Sequence, residues 1–134
     1  MQRKIARENA FLLIFESVCK VDETAEEIFS KATELRGLEY DDYVKSTFFG
    51  SYEKKGEIDA AIEKHLTGWK KNRISAVSMA VLRLAAYEML YISDIPAKVS
   101  INEAVELAKK FDEEKSYSFV NGVLNALATQ IDKK

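Results

Sequence analysis

Residues 74–127 read ISAVSMAVLRLAAYEMLYISDIPAKVSINEAVELAKKFDEEKSYSFVNGVLNAL. From Val77 to Leu90 only Ser78, Arg83, Tyr87 and Glu88 break an apolar run. A helix that is apolar all round is either a core helix or a membrane span. A span needs about 20 apolar residues, and Arg83 and Glu88 interrupt this run too early. The stretch therefore predicts a central buried helix. It ends near Ser93–Pro96, because proline lacks an amide hydrogen and disfavours helix in the residue before it. Ser100 with Glu103 has the S-x-x-E spacing of a capping box, so the next helix is expected to start at Ser100. Ile101, Ala104, Val105, Ala108 and Phe111 give it one apolar face. After the polar break at residues 112–116, Val120, Val123, Leu124, Leu127 and Ile131 mark a last helix. Short links make these three helices antiparallel neighbours.

Upstream, a first helix is expected over residues 2–20. Arg3, Lys4 and Arg7 fall on one side of it, and Phe11, Ile14, Phe15 and Val18 continue that side. The simplest picture is a helix docked by its later turns, with two basic turns projecting. The cations sit where the helix dipole disfavours them, and a bound phosphate would relieve that. On the residues alone, such a patch is more often a solvated helix end. Residues 22–36 predict a second helix, capped by Asp22 or Thr24, with Ala25, Ile28, Phe29, Ala32 and Leu35 inward and Gly37 at its end. In residues 39–54, Tyr40, Tyr43, Val44, Thr47, Phe48 and Tyr52 recur at helical spacing, which predicts aromatic core. Gly50 and Gly56 mark a kink or break there. Ile58, Ala61, Ile62, His65 and Leu66 continue a helical face. Gly68–Arg73 is basic and holds the single tryptophan, Trp69. It divides an N-terminal lobe, about residues 1–68, from a C-terminal lobe, about 74–134. Trp69 with Lys70, Lys71 and Arg73 has the composition of a single-strand clamp, or of a loop packed on the body.

The expected fold class is all-α, a compact bundle of about seven helices in two three-helix-like lobes, forming one domain. One proline and five glycines in 134 residues fit that class. A chain this long buries enough surface to need no disulfide or metal. The lone Cys19 is expected to be a small buried apolar residue in a reducing compartment. No signal-peptide pattern precedes the first helix, so a cytoplasmic location is expected. With one His and one Cys, no nucleophilic triad or zinc set is arguable. No glycine-rich phosphate loop is present, and the many carboxylates lie on exposed helical faces. The expectation is a binding protein that is not an enzyme and has no cofactor. Net charge is −2 but uneven: +2 over residues 1–21, −7 over 22–63 and +3 over 64–134. A nucleic-acid face should come from the two ends of the chain.

Three runs together carry a family resemblance: AVLRLAAYEML (80–90), IPAKVSINEAVELAKKF (95–111) and SYSFVNGVLNAL (116–127). Their order and spacing resemble the NusB family of bacterial transcription antitermination factors. The resemblance covers roughly 55 residues strongly and the first helix moderately; residues 22–70 match only in helical character. It implies a NusB-like RNA-binding fold. It also implies two partners, a boxA-type single-stranded RNA of ribosomal transcripts and a NusE-type small-subunit ribosomal protein, acting within the RNA polymerase antitermination complex. Carried over residue by residue, it gives an RNA-binding set of Arg3, Lys4, Arg7, Phe15, Lys98, Lys115, Ser116 and Phe119. It gives a partner-binding set of Arg83, Tyr87 and Glu88. Phe15 stands where the family commonly has Tyr, and Ile5 interrupts a basic run that relatives often have unbroken. Lys115 replaces a common acid, and Ser78-Met79 a common charged pair. Two other readings remain: a helical protein-binding adaptor or homodimer, and the N-terminal RNA-binding module of a ribosomal-RNA methyltransferase, which would need a cofactor domain downstream.

Overall fold

The computed structural model describes residues 1–66 and 73–133. Among them there are seven α-helices and no strand: α1 Arg3–Cys19, α2 Ala25–Ser30, α3 Asp42–Glu53, α4 Lys55–Glu63, α5 Ala76–Tyr91, α6 Ala97–Phe111 and α7 Ser116–Gln130. The apolar run predicted to be central is α5. It packs against α1, α3, α4, α6 and α7, and ten of its sixteen residues are buried. One continuous core joins Phe11 and Ile14 of α1, Ile28 of α2, Phe48 of α3, Ile58 and Ile62 of α4, Leu82 and Leu84 of α5, Ala104 of α6, and Leu124 and Leu127 of α7. None of the described helices is long and apolar enough to cross a membrane.

Local chemistry sets most helix ends. Thr24 caps α2 in a complete capping box with Glu27. Asp41 accepts the Val44 amide at 2.9 Å to start α3, and Ser75 accepts the Ser78 amide at 3.0 Å to start α5. Gly37 takes φ +72°, the left-handed conformation that suits a residue without a Cβ. At the other end of α5, Lys133 Nζ donates to the carbonyls of Glu88, Met89 and Ile92 at 3.1, 3.1 and 2.8 Å. It thus satisfies oxygens that the helix leaves without partners.

Five local expectations are corrected. α6 starts at Ala97 with Pro96 as its N-cap; Ser100 lies inside the helix and its hydroxyl turns to the core. Leu35 is 80 % exposed, because α2 runs on into a π-helical turn over Lys31–Leu35, with the Arg36 amide reaching back five residues to Lys31. That wider turn changes the angular phase and swings Leu35 off the apolar face. Tyr40 precedes α3 and is exposed, touching Phe29 edge-on at 4.9 Å between ring centroids. Cys19, the last residue of α1, is exposed. The break near the two glycines falls at Lys54, between α3 and α4, and at neither glycine.

Gly50 has a different task. A Cβ built there would lie 2.2 Å from the Tyr87 hydroxyl oxygen and 2.6 Å from the ring carbon bearing it, so the glycine admits the Tyr87 ring from α5. Two effects then oppose each other at this position. Alanine improves helix propensity by about 1 kcal/mol, and overpacking costs about 1–3 kcal/mol. Urea unfolding should show Gly50→Ala destabilising the native chain by about 1 kcal/mol. In a Tyr87→Ala background the same change should stabilise.

Candidate nucleic-acid interface

The N-terminal basic cluster is split by its surroundings. Arg3 and Lys4 are exposed in the first turn of α1, which has no side-chain cap. Arg7 is only 5 % exposed, contrary to the expectation of a projecting cation. Fully buried Ala6 and Ala10 flank it and bring α1 close to the body from its second turn onward. Inside, Arg7 Nε donates to Glu88 Oε2 at 2.9 Å. The Tyr43 hydroxyl donates to the same oxygen, and Ser100 Oγ donates to Glu88 Oε1 at 2.7 Å. Glu88 itself has no exposed surface. One carboxylate therefore joins α1, α3, α5 and α6. Burial, then the Glu88 charge and hydrogen bond, push the Tyr43 hydroxyl well above the usual tyrosine range, so it remains a donor. The Arg3 guanidinium lies 4.2 Å from the centre of the Tyr43 ring.

The residues expected to meet a protein partner are also engaged internally. Burial of Glu88 removes it from any surface. Arg83 grips Asp59 of α4 with two parallel bonds of 2.8 Å, from Nε and Nη2. Tyr87 is half-buried against Gly50 and packs beside Tyr91, at 5.4 Å between ring centroids.

A second basic and aromatic region forms where the start of α5, the end of α6 and the start of α7 meet. Arg73, Ser78, Asp112, Lys115, Ser116 and Phe119 line an open cleft of about 610 Å³ there. Asp112 organises it. Its Oδ2 accepts from Ser75 Oγ at 2.7 Å and Ser78 Oγ at 2.5 Å, and its Oδ1 from the Glu113 amide at 2.8 Å. Partial burial alone would raise the Asp112 carboxyl, but those hydrogen bonds outweigh it and hold the group below the usual aspartate range. Lys115 is exposed at the N-cap of α7, where no side chain caps the first amides; such an end suits an anion. Phe15 is half-buried and stacks on Phe11 at 6.1 Å, and Phe11 meets Phe111 at 5.0 Å. This aromatic row runs from α1 to the residue before Asp112 through Phe11, which is buried, so it ties Phe15 to the α6–α7 junction through the core.

Lys98 stands apart, in the groove between α6 and α7 with Asn102, Asn121 and Asn125. Gly68–Asn72, including Trp69, lies outside the described residues. Sequence reasoning missed Tyr43 as the floor under Arg3 and Asp112 as the organiser of the cleft. Tyr43 sits at helical core spacing, and nothing local distinguishes a ring that carries a cation. Asp112 did carry a signal, since a short-chain acid between two helices is a frequent hydrogen-bond acceptor for neighbouring backbone and hydroxyl groups.

Two measurements follow from this geometry. Glu88→Ala leaves Arg7 buried without a counter-charge, so urea unfolding should show a loss of about 3–5 kcal/mol. An Arg7→Met/Glu88→Gln pair should lose less, because no charge is then stranded. For Asp112 the folded carboxyl lies below its unfolded value near pH 3.9, so its contribution is complete above that value and fades as pH falls through the folded one. The stability difference between the native chain and Asp112→Asn should be constant from pH 7 to about 5 and shrink below about 4.

The comparisons with known proteins converge. The NusB family model matches residues 4–129. The transcription antitermination protein NusB of Bacillus licheniformis is 42% identical over 132 residues, covering 98% of this chain and 100% of that protein. NusB of Bacillus subtilis is 40% identical over 136 residues, covering 99% of both. Among solved structures, NusB of T. maritima aligns with a TM-score of 0.84 and 36% identity, over 97% of this chain and 92% of that one. A structure of the antitermination factors NusB and NusE in complex with dsRNA contains a chain that aligns with a TM-score of 0.83 and 31% identity, over 96% of each. The chain belongs to the NusB family.

Proposed function

We propose that this chain is a transcription antitermination factor that binds boxA-type single-stranded RNA together with a NusE-type ribosomal protein, as part of the RNA polymerase antitermination complex in the cytoplasm, and that it is not an enzyme. The observation that carries the reading is the full-length likeness to a NusB solved with NusE and dsRNA. The surface supports it. Exposed Arg3 and Lys4 lie at one end of α1, about 18 Å along the axis from Phe15. A second group, exposed Lys115 and the cleft at Phe119, lies at the α6–α7 junction, which Phe111 joins to Phe15 through buried Phe11. Cations spaced around half-buried aromatics suit a strand whose phosphates and unpaired bases are both available. Lys115 adds a phosphate-seeking charge to that face. Arg7 is withdrawn from the contact set because its guanidinium is committed to Glu88.

The test is fluorescence anisotropy with a labelled boxA-type RNA, a scrambled strand and a duplex, with and without the NusE-type protein, over a salt series. Selective single-strand binding that the partner strengthens and salt weakens is the expected result. Each phosphate contact adds about 0.7 to the log–log salt slope on a single strand. An Arg3→Glu/Lys4→Glu chain should therefore lose about 1.4 of slope if both cations touch phosphate. Equal or tighter binding to the duplex would overturn the single-strand assignment. No RNA binding even with the partner would leave the protein-only adaptor or homodimer as the better account.

A further inference from the structure

We infer that Tyr43 is a positioning residue for RNA: its ring is a fixed shelf that holds the Arg3 guanidinium with its N–H edge turned outward to a phosphate. The inference rests on the RNA-binding reading above and assigns a role within it to a residue of α3, an element that contributes nothing else to the candidate contact set.

The geometry has three parts. First, the shelf is immobile. Tyr43 is 8 % exposed, and its hydroxyl is tied to Glu88, which Arg7 and Ser100 hold in turn from α1 and α6. A ring packed in the core and tethered at its far end cannot swing away with the side chain it supports. Second, the cation is seated on it. Arg3 lies 4.2 Å from the ring centre, well inside the roughly 6 Å range of a cation–π contact. The Arg7 guanidinium approaches the same ring at 5.8 Å. The two arginines divide the work: exposed Arg3 sits on the ring, and buried Arg7 is bonded to Glu88. Third, stacking consumes the face of a guanidinium and leaves its in-plane donors free. Those donors match two phosphate oxygens at once. Lys4 beside it has no such seat and offers a mobile point charge.

Pre-placing Arg3 matters because a long side chain loses rotamer freedom when it grips a ligand, and a seat that restricts it beforehand reduces that loss. It also accounts for how a short basic run serves: one of its two exposed cations is already oriented.

The experiment is a double-mutant cycle on RNA affinity, measured with boxA-type RNA and the NusE-type protein at one fixed salt concentration. The chains are native, Arg3→Ala, Tyr43→Leu and the double variant, with Tyr43→Phe as the conservative control. Circular-dichroism melts confirm that each is folded at the assay temperature. Arg3→Ala should weaken binding roughly tenfold and Tyr43→Leu roughly fivefold. In the Arg3→Ala background Tyr43→Leu should change binding by less than about twofold, since the shelf has nothing left to hold. Tyr43→Phe keeps the ring and should stay within about twofold of native. A Tyr43→Leu effect of equal size in both backgrounds would overturn the inference while leaving the RNA reading intact. So would a Phe variant as weak as the Leu one. Absence of selective binding by the native chain would remove both together, a result distinct from an additive cycle.

Discussion

A single buried carboxylate sets the arrangement of this bundle. Glu88 has no contact with water, and an isolated ionised group in that position is costly by several kcal/mol. It is tolerated because three donors meet it: Arg7 from α1, Tyr43 from α3 and Ser100 from α6. Hydrophobic packing alone would let α1 slide or rotate against α5, since dispersion and area burial have little directionality. The hydrogen bonds to Glu88 fix the rotation of α1. That rotation decides which of its cations face solvent.

The candidate RNA face follows from that constraint. With Arg7 turned inward, Arg3 and Lys4 are the exposed charges, and Arg3 is brought over the Tyr43 ring. Further along α1 the same rotation lays buried Phe11 against Phe111, with half-buried Phe15 stacked on Phe11. The α6–α7 junction, ordered by Asp112, adds a second group, Lys115 and Phe119. Core and surface are thus coupled through one helix orientation, and a residue without any solvent contact governs the presentation of residues that have it.

Much of the fold was legible in sequence because it is encoded locally. The apolar run of α5, the cap at Thr24 (one of two candidates, with Asp22), Gly37 at a helix end and the one-sided face of α6 each depend on neighbours within a few residues. What could not be read depends on distant partners. Arg7 looks like a surface cation until Glu88, 81 residues away, is placed beside it. Ser100 has the spacing of a cap, yet its hydroxyl is taken by the same carboxylate, and the helix begins at Ala97 instead. Leu35 obeys α-helical periodicity but lies in a turn of another pitch. Of the candidate contact residues, the exposure of Arg3, Lys4 and Lys115 was legible. The site was illegible at Tyr43 and Glu88, where a family pattern and a core pattern look alike in a string of letters.

The span between Arg7 and Glu88 also has a meaning in time. A ribosome adds roughly 5–20 residues per second. Arg7 is therefore synthesised roughly ten seconds before the residue that neutralises it. Its partners in α3 arrive sooner, but Tyr43 without Glu88 supplies only a ring. During that interval α1 has no dry place for its inner arginine, and the N-terminal half of the chain cannot close in its final form. The seating of α1, and with it the exposed pair Arg3 and Lys4, is a late event in the life of each nascent chain.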